Sequence, residues 1–277
     1  MKILAVEDPP FDTLRYHDAH RGGGHPMCVE RDLHIHLARV DALPDGLDAL
    51  VVTSDLQGRE LPKDGPPRLL GEVLAEHLEA LGQLEMLPPA ASTGVILAGD
   101  LYTVPGADRM GGTGDVRVVW QAFADRFRWV AGVAGNHDMF GPGNRDQRSF
   151  ARRPGIHLLD GEVRDLDGLR VGGVGGVIGN PEKNQRKPAE ELVGAIERLF
   201  VRSDLLVLHE GPDLPAERYV GSPLVRETLE ALDEGARGER RPIVVCGHSA
   251  WPVPLASLGG GLQVLKVDAR VVVLLRR

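Results

Sequence analysis

Five apolar runs along this chain each end on a residue that can bind a metal ion or move a proton. Runs 49–54, 95–98, 129–134, 205–208 and 243–246 lead into Asp55, Gly99-Asp100, Gly135-Asn136-His137-Asp138, His209 and Gly247-His248. Short apolar runs bounded by turn residues read as buried strands. Ligands of open α/β sheets bind at the carboxyl ends of strands, so the five tips describe one site. Carboxylate, amide and imidazole donors suit Mn, Fe or Zn. Two such ions about 3.5–4 Å apart can clamp a phosphoryl group and activate water at neutral pH, with one carboxylate bridging them. Glycine beside a ligand lets the backbone turn sharply and approach closely.

The elements that must position these groups follow from periodicity. Residues 1–8 predict a first strand, and residues 9–30, with Pro9-Pro10 and Gly22-Gly23-Gly24, an irregular loop. Residues 33–40 alternate in part and predict a strand. Leu69, Leu70, Val73, Leu74, Leu78, Leu81 and Leu84 recur at helical spacing, predicting a helix over 68–87 between strands 49–54 and 94–99. A helix near 115–127 and strand 129–134 complete a βαβαβ succession, which implies a largely parallel sheet. The second half predicts short strands over 156–178, a helix over 188–200, strand 204–208, a helix near 222–234 and strand 242–246. It ends in a hairpin over 262–275 turning at Asp268-Ala269. The expected fold is α/β, a two-sheet sandwich flanked by helices in one domain spanning 1–277.

Bulk properties narrow the function classes. The net charge of −8, without a block of like charges, argues against an extended nucleic-acid footprint. It does not exclude a small phosphorylated substrate or nucleotide, because a metal supplies local positive charge. No apolar run is long enough to span a bilayer, so no membrane partner is expected. Two cysteines, Cys28 and Cys246, make neither a disulfide framework nor a CxxC site. Together with an acidic start unlike a signal peptide, this points to the cytoplasm.

The ordered set Asp55, Gly99-Asp100, Gly135-Asn136-His137-Asp138, His209 and Gly247-His248 resembles the calcineurin-like metallophosphoesterase superfamily, whose signature runs D-x-H, GD, GNH[D/E], H, GHxH. The resemblance implies a four-layer αββα sandwich and one or two divalent ions (Mn, Fe or Zn, with Mn preferred). By resemblance, Asp100 is the bridging carboxylate. Asn136, His209 and His248 complete the second metal's ligands, and Asp55 belongs to the first. His137 is then the general acid or transition-state stabiliser, with Asp138 as its orienting partner. The implied activity is metal-dependent hydrolysis of a phosphomonoester or phosphodiester bond by a metal-activated water.

Two departures fall on the first-metal site. The D-x-H motif reads Asp55-Leu56-Gln57, leaving Gln57 as a weak oxygen ligand or a surface residue. The last motif reads Gly247-His248-Ser249-Ala250, and Ala250 cannot ligate. A weak or empty first site is expected, or one repaired by His17, His20, His25, His34 or His36, or by Asp8 in an alternative alignment of the first motif. The segment 179–187 reads as a solvated loop, with Lys183 or Arg186 meeting phosphate as the functional alternative. Two other functions stay open: a catalytically weak or inactive relative that binds a nucleotide or protein partner, and a metal-dependent nuclease.

Overall fold

The computed structural model describes residues 1–22, 25–236 and 241–277. Among them the chain forms five α-helices and two large mixed sheets, of ten and six strands. In the larger sheet, Ala49–Ser54, Thr93–Leu97, Trp129–Gly132 and Ile156–Leu158 run parallel to one another. In the smaller, Leu169–Val174, Leu205–Glu210, Ile243–Gly247 and Gln263–Lys266 do the same. Thr53 pairs with Leu97, and Leu97 with Gly132, so these three strands end at one level. That shared level is what brings their following residues together.

Side chains alternate across each sheet, as the period of a strand requires. Leu50, Val52, Ile96 and Ala131 of the larger sheet share one core with Val171, Leu205, Val207 and Val245 of the smaller, so the two sheets pack face to face. The opposite faces are covered by helices. Val51, Val95 and Val130 pack with Leu74 and Leu78 of helix Leu70–Gln83 and with Trp120 and Phe123 of helix Arg117–Ala124. Leu206, Leu208 and Val244 pack with Ile196 and Leu199 of helix Ala189–Phe200 and with Val225 and Leu229 of helix Pro223–Gly235. Each fully buried aliphatic side chain contributes about 1.5–3 kcal/mol relative to exposure. The site therefore rests on strands buried on both faces.

Two expectations are corrected. Residues 9–30 are not a loop: Asp12–Gly22 and His25–Val40 form a long antiparallel hairpin, from Asp12 opposite Ile35 to Gly22 opposite His25. Many of its side chains are exposed, so the ladder forms without the apolar alternation that marks a half-buried strand. Residues 262–275 are not a hairpin either. Gln263–Lys266 lies beside Ile243–Gly247 in the smaller sheet, whereas Arg270–Arg276 lies between Ala49–Ser54 and His25–Val40 in the larger. Val271 and Val273 face one core, Val272 and Leu274 the other. A strand apolar on both faces takes a central place in a sheet, and Val267-Asp268-Ala269 becomes the crossover between sheets. The remaining elements lie within a few residues of expectation, and no described helix is long and apolar enough to cross a membrane.

Candidate metal centre

The strand tips turn abruptly. Asp55, Asp100 and His248 adopt left-handed backbone conformations, with φ of 52°, 55° and 71°. Non-glycine residues avoid this region, at a cost of about 1–3 kcal/mol each, and such residues cluster at functional sites. Two glycines permit the close approach. A Cβ on Gly135 would collide with the Asp100 carboxylate, and one on Gly247 with Ser54 Oγ and the Asp55 carboxylate. His209 arrives differently. The register between Leu205–Glu210 and Ile243–Gly247 slips between Leu208 and Glu210, so His209 sits in a bulge. A bulge re-aims a side chain.

Asp100, His209 and His248 bring one ligand atom each within 4.8 Å of one another. Asp100 and His209 are buried. His209 Nδ1 lies 2.8 Å from the Ala98 carbonyl oxygen, which can only accept, so Nδ1 carries a hydrogen. Nε2 faces Asp100 Oδ2 at 3.4 Å and Asn136 Oδ1 at 3.3 Å. A backbone carbonyl holding the far nitrogen is the usual way to fix a metal-binding imidazole. Burial alone would depress the His209 pKa, but the Asp100 and Asp55 carboxylates outweigh it and lift the value to about 10. Burial and the adjacent His209 pull His248 down to about 4, leaving its imidazole neutral. Asp100, opposed by burial, is held below the usual carboxylate range by His209 and His137. A mixed nitrogen and oxygen set of this kind, including Asn136, fits a borderline divalent ion such as Mn, Fe or Zn.

Asp138 does not orient His137. Fully buried, it accepts the backbone N–H groups of Gly135 and Asp100 on Oδ2 at 2.8 and 2.9 Å, and that of Leu101 on Oδ1 at 2.7 Å. It fastens two strand-tip loops together, as a carboxylate short of solvent and facing backbone donors will. Burial and the Asp100 charge push its pKa up. His137 donates its backbone N–H to Asp100 Oδ1 at 2.8 Å, while its ring Nε2 stands 4.0 Å from Asp100 Oδ2, beyond hydrogen-bond range. Its Nδ1 has no hydrogen-bond partner among the described residues. Asn184 holds the loop instead, donating to the carbonyls of Asn136 and Asp138 at 3.0 and 2.9 Å on either side of His137.

The Asp55 side is built from oxygen. Asp55 Oδ2 accepts from Ser54 Oγ at 2.5 Å and from the His248 backbone N–H at 2.9 Å. Burial and the Asp268 carboxylate raise its pKa to about 7. Gln57 presents its amide N–H, not its carbonyl oxygen, to Asp100 Oδ2 at 3.1 Å. Asp55, Gln57, Asp100, His137 and His248 line one cleft of ≈ 260 Å³, joined by Asp268 from the crossover and by Tyr16 and Asp18 from the N-terminal hairpin. Burial and Asp18 raise the Tyr16 phenol to about 12, so it stays a proton donor.

The alternative of a repair from the N-terminal segment is not met among the described side chains: His17, His20, His34 and His36 do not line this cleft, nor does Asp8. His34, His36 and Asp8 line a neighbouring pocket, and the side chain of His25 lies outside the described residues. Ala250 is exposed. Lys183 and Arg186 do not line the cleft.

Sequence patterns missed Lys266. Fully buried, it donates from Nζ to the Gly247 carbonyl and, at 3.1 Å, to Ser249 Oγ, with Nζ 5.5 Å from the centre of the Trp251 ring. It therefore braces the turn that carries His248. A buried lysine inside an apolar strand looks like strand edge in a sequence, and only the crossover places it under this turn. Asp18 and Asp268 were equally illegible, because their meeting depends on the hairpin and the crossover. No protein-family model matches this chain, and no curated protein matches it significantly.

Proposed function

We propose that this protein is a metal-dependent phosphoester hydrolase, similar in site plan and layering to the calcineurin-like metallophosphoesterases. One observation carries the reading: Asp100, His209 and His248 converge from three strand tips with ligand atoms within 4.8 Å, and Asn136 stands beside them. A divalent ion held there supplies Lewis-acid charge for a phosphoryl oxygen and an activated water. The chain's own residues do the rest. Asp138 and Asn184 set the backbone of the Asn136–Asp138 loop, Ala98 fixes the His209 tautomer, and Lys266 fixes the His248 turn. The His137 ring, part-exposed in the cleft, donates a proton to the leaving oxygen.

A second reading, a phosphoesterase-like fold that binds without turnover, has its own observation in Gln57, whose amide hydrogen faces Asp100. Calorimetric titration with Mn²⁺ and turnover of a bis-aryl phosphate decide between them. The hydrolase reading expects both binding and turnover, with Asp100→Asn lowering each by about 10²-fold or more. Binding without turnover across a phosphoester panel favours the second reading.

A further inference from the structure

The cleft has the charge and the neighbours of a diesterase. Among the described residues its lining carries four carboxylates, Asp18, Asp55, Asp100 and Asp268, and no lysine or arginine. One divalent ion offsets two of those four charges, and Lys266 and Arg270 act on Asp268 from outside the lining. A phosphomonoester is a dianion above about pH 6, whereas a phosphodiester keeps a single charge. Repulsion in a site shielded from water is felt far more than in bulk solvent. The monoanion is therefore the better fit.

A diester also needs room for two substituents, and two other hollows share lining residues with the cleft. On one side, Asp18 and Gln57 also line a recess of ≈ 60 Å³ bounded by Tyr102 and Met110. On the other, Ala269 also lines a pocket of ≈ 570 Å³ walled by Pro252, Val253 and Pro254 and by the His34 and His36 rings. Glu7, Asp8 and Arg270 line that pocket too, one Arg270 nitrogen donating to the Trp251 carbonyl at 2.6 Å. The larger volume lies in the range of small-ligand sites, and a lining of two prolines, a valine and two imidazoles suits an aromatic group.

We propose that the substrate is a phosphodiester with one bulky aromatic substituent, seated in the Pro252–Pro254 pocket, and one small substituent beside Gln57. This rests on the hydrolase reading above. Water adds to phosphorus, one P–O ester bond breaks, and the departing alkoxide takes a proton to leave as an alcohol or phenol. The other product is a monoester, which releases the second proton of water to solvent above about pH 6 and so carries one more negative charge than the substrate, a charge the carboxylate wall expels.

The test uses the Mn²⁺-loaded full chain at about pH 8, with binding measured beside turnover. Methyl phenyl phosphate should bind at least about tenfold more tightly than dimethyl phosphate and than the dianion phenylphosphonate. Methyl 4-nitrophenyl phosphate should be turned over with a higher kcat/KM than 4-nitrophenyl phosphate. Val253 is 40% exposed, so Val253→Trp fills the pocket without opening the core. It should bring methyl phenyl phosphate affinity down to that of dimethyl phosphate. Tighter binding of phenylphosphonate, or a phenyl preference untouched by Val253→Trp, overturns the proposal while leaving the hydrolase reading intact. No Mn²⁺ binding and no turnover of either ester overturns both.

Discussion

The two halves of the candidate site are built on different principles. Asn136, His209 and His248 offer an amide oxygen and two nitrogens, each held in place by the fold: a bulge and the Ala98 carbonyl for His209, a Lys266-braced turn for His248, an Asn184 clamp for the Asn136 loop. Asp55, Gln57, Asp18 and Asp268 offer carboxylates and an amide, drawn from a strand tip, a hairpin and a crossover. Donors held on rigid elements before an ion arrives cost little to organise. Carboxylates held close together repel until a cation arrives, which is why burial and Asp268 hold Asp55 near 7. One half is thus organised in advance for a divalent ion, whereas the other gathers carboxylates whose mutual repulsion a cation or a proton relieves.

The largest expected effect comes from His137, which the proposed reaction uses as a proton donor and which belongs to neither set of donors. His137→Ala should lower turnover of a poor-leaving-group ester by about 10²–10⁴-fold and leave Mn²⁺ content unchanged. Steady-state kinetics with metal analysis checks this, and loss of the ion in the variant would make His137 a ligand.

The next effect separates the halves by pH. In the metal-free protein the His209 pKa of about 10 lies above its ordinary 6.5. The His209–Asp100 pair therefore stabilises fully below the ordinary value and fades as the pH rises toward 10. An ion on His209 must displace that proton, so Mn²⁺ affinity should tighten about tenfold per unit between about pH 7 and 9. Calorimetry in buffers of different ionisation heat would report the released proton. A flat affinity over that range would place the ion away from His209.

A smaller effect concerns the brace. Lys266→Met keeps the buried volume but removes the charged donor to the Gly247 carbonyl and Ser249 Oγ, leaving them the Ser249 N–H and the Val220 carbonyl as partners. The expected loss is about 1–3 kcal/mol of stability, read by urea unfolding. Mn²⁺ affinity should fall about 10-fold, the size usual for a residue behind a ligand. An unfolding loss with unchanged affinity would reduce Lys266 to a core residue.

How much of this was legible follows the same division. Asp100, Asn136, His209 and His248 stand at ends of apolar runs, and a run buried on both faces announces itself in one dimension. Their convergence therefore followed from the sequence. The hairpin Asp12–Gly22 and His25–Val40 carries no such signal, because many of its side chains are exposed, so Tyr16 and Asp18 went unseen. The residues around Asp268 carry the pattern of two strands and a turn, but nothing in one dimension says that the strands belong to different sheets. Adjacency to His137 suggests contact for Asp138, whereas the turn aims its carboxylate at backbone donors. Gln57, two residues beyond Asp55, was legible as a cleft residue but not in the direction its amide faces.

If the nitrogen-bearing half holds the tight ion, anomalous scattering from Mn²⁺-soaked crystals should show one full-occupancy peak among Asp100, Asn136, His209 and His248, with weaker occupancy between Asp55 and Asp268. A stronger peak on the Asp55 side, or no peak at His209 and His248, would contradict it.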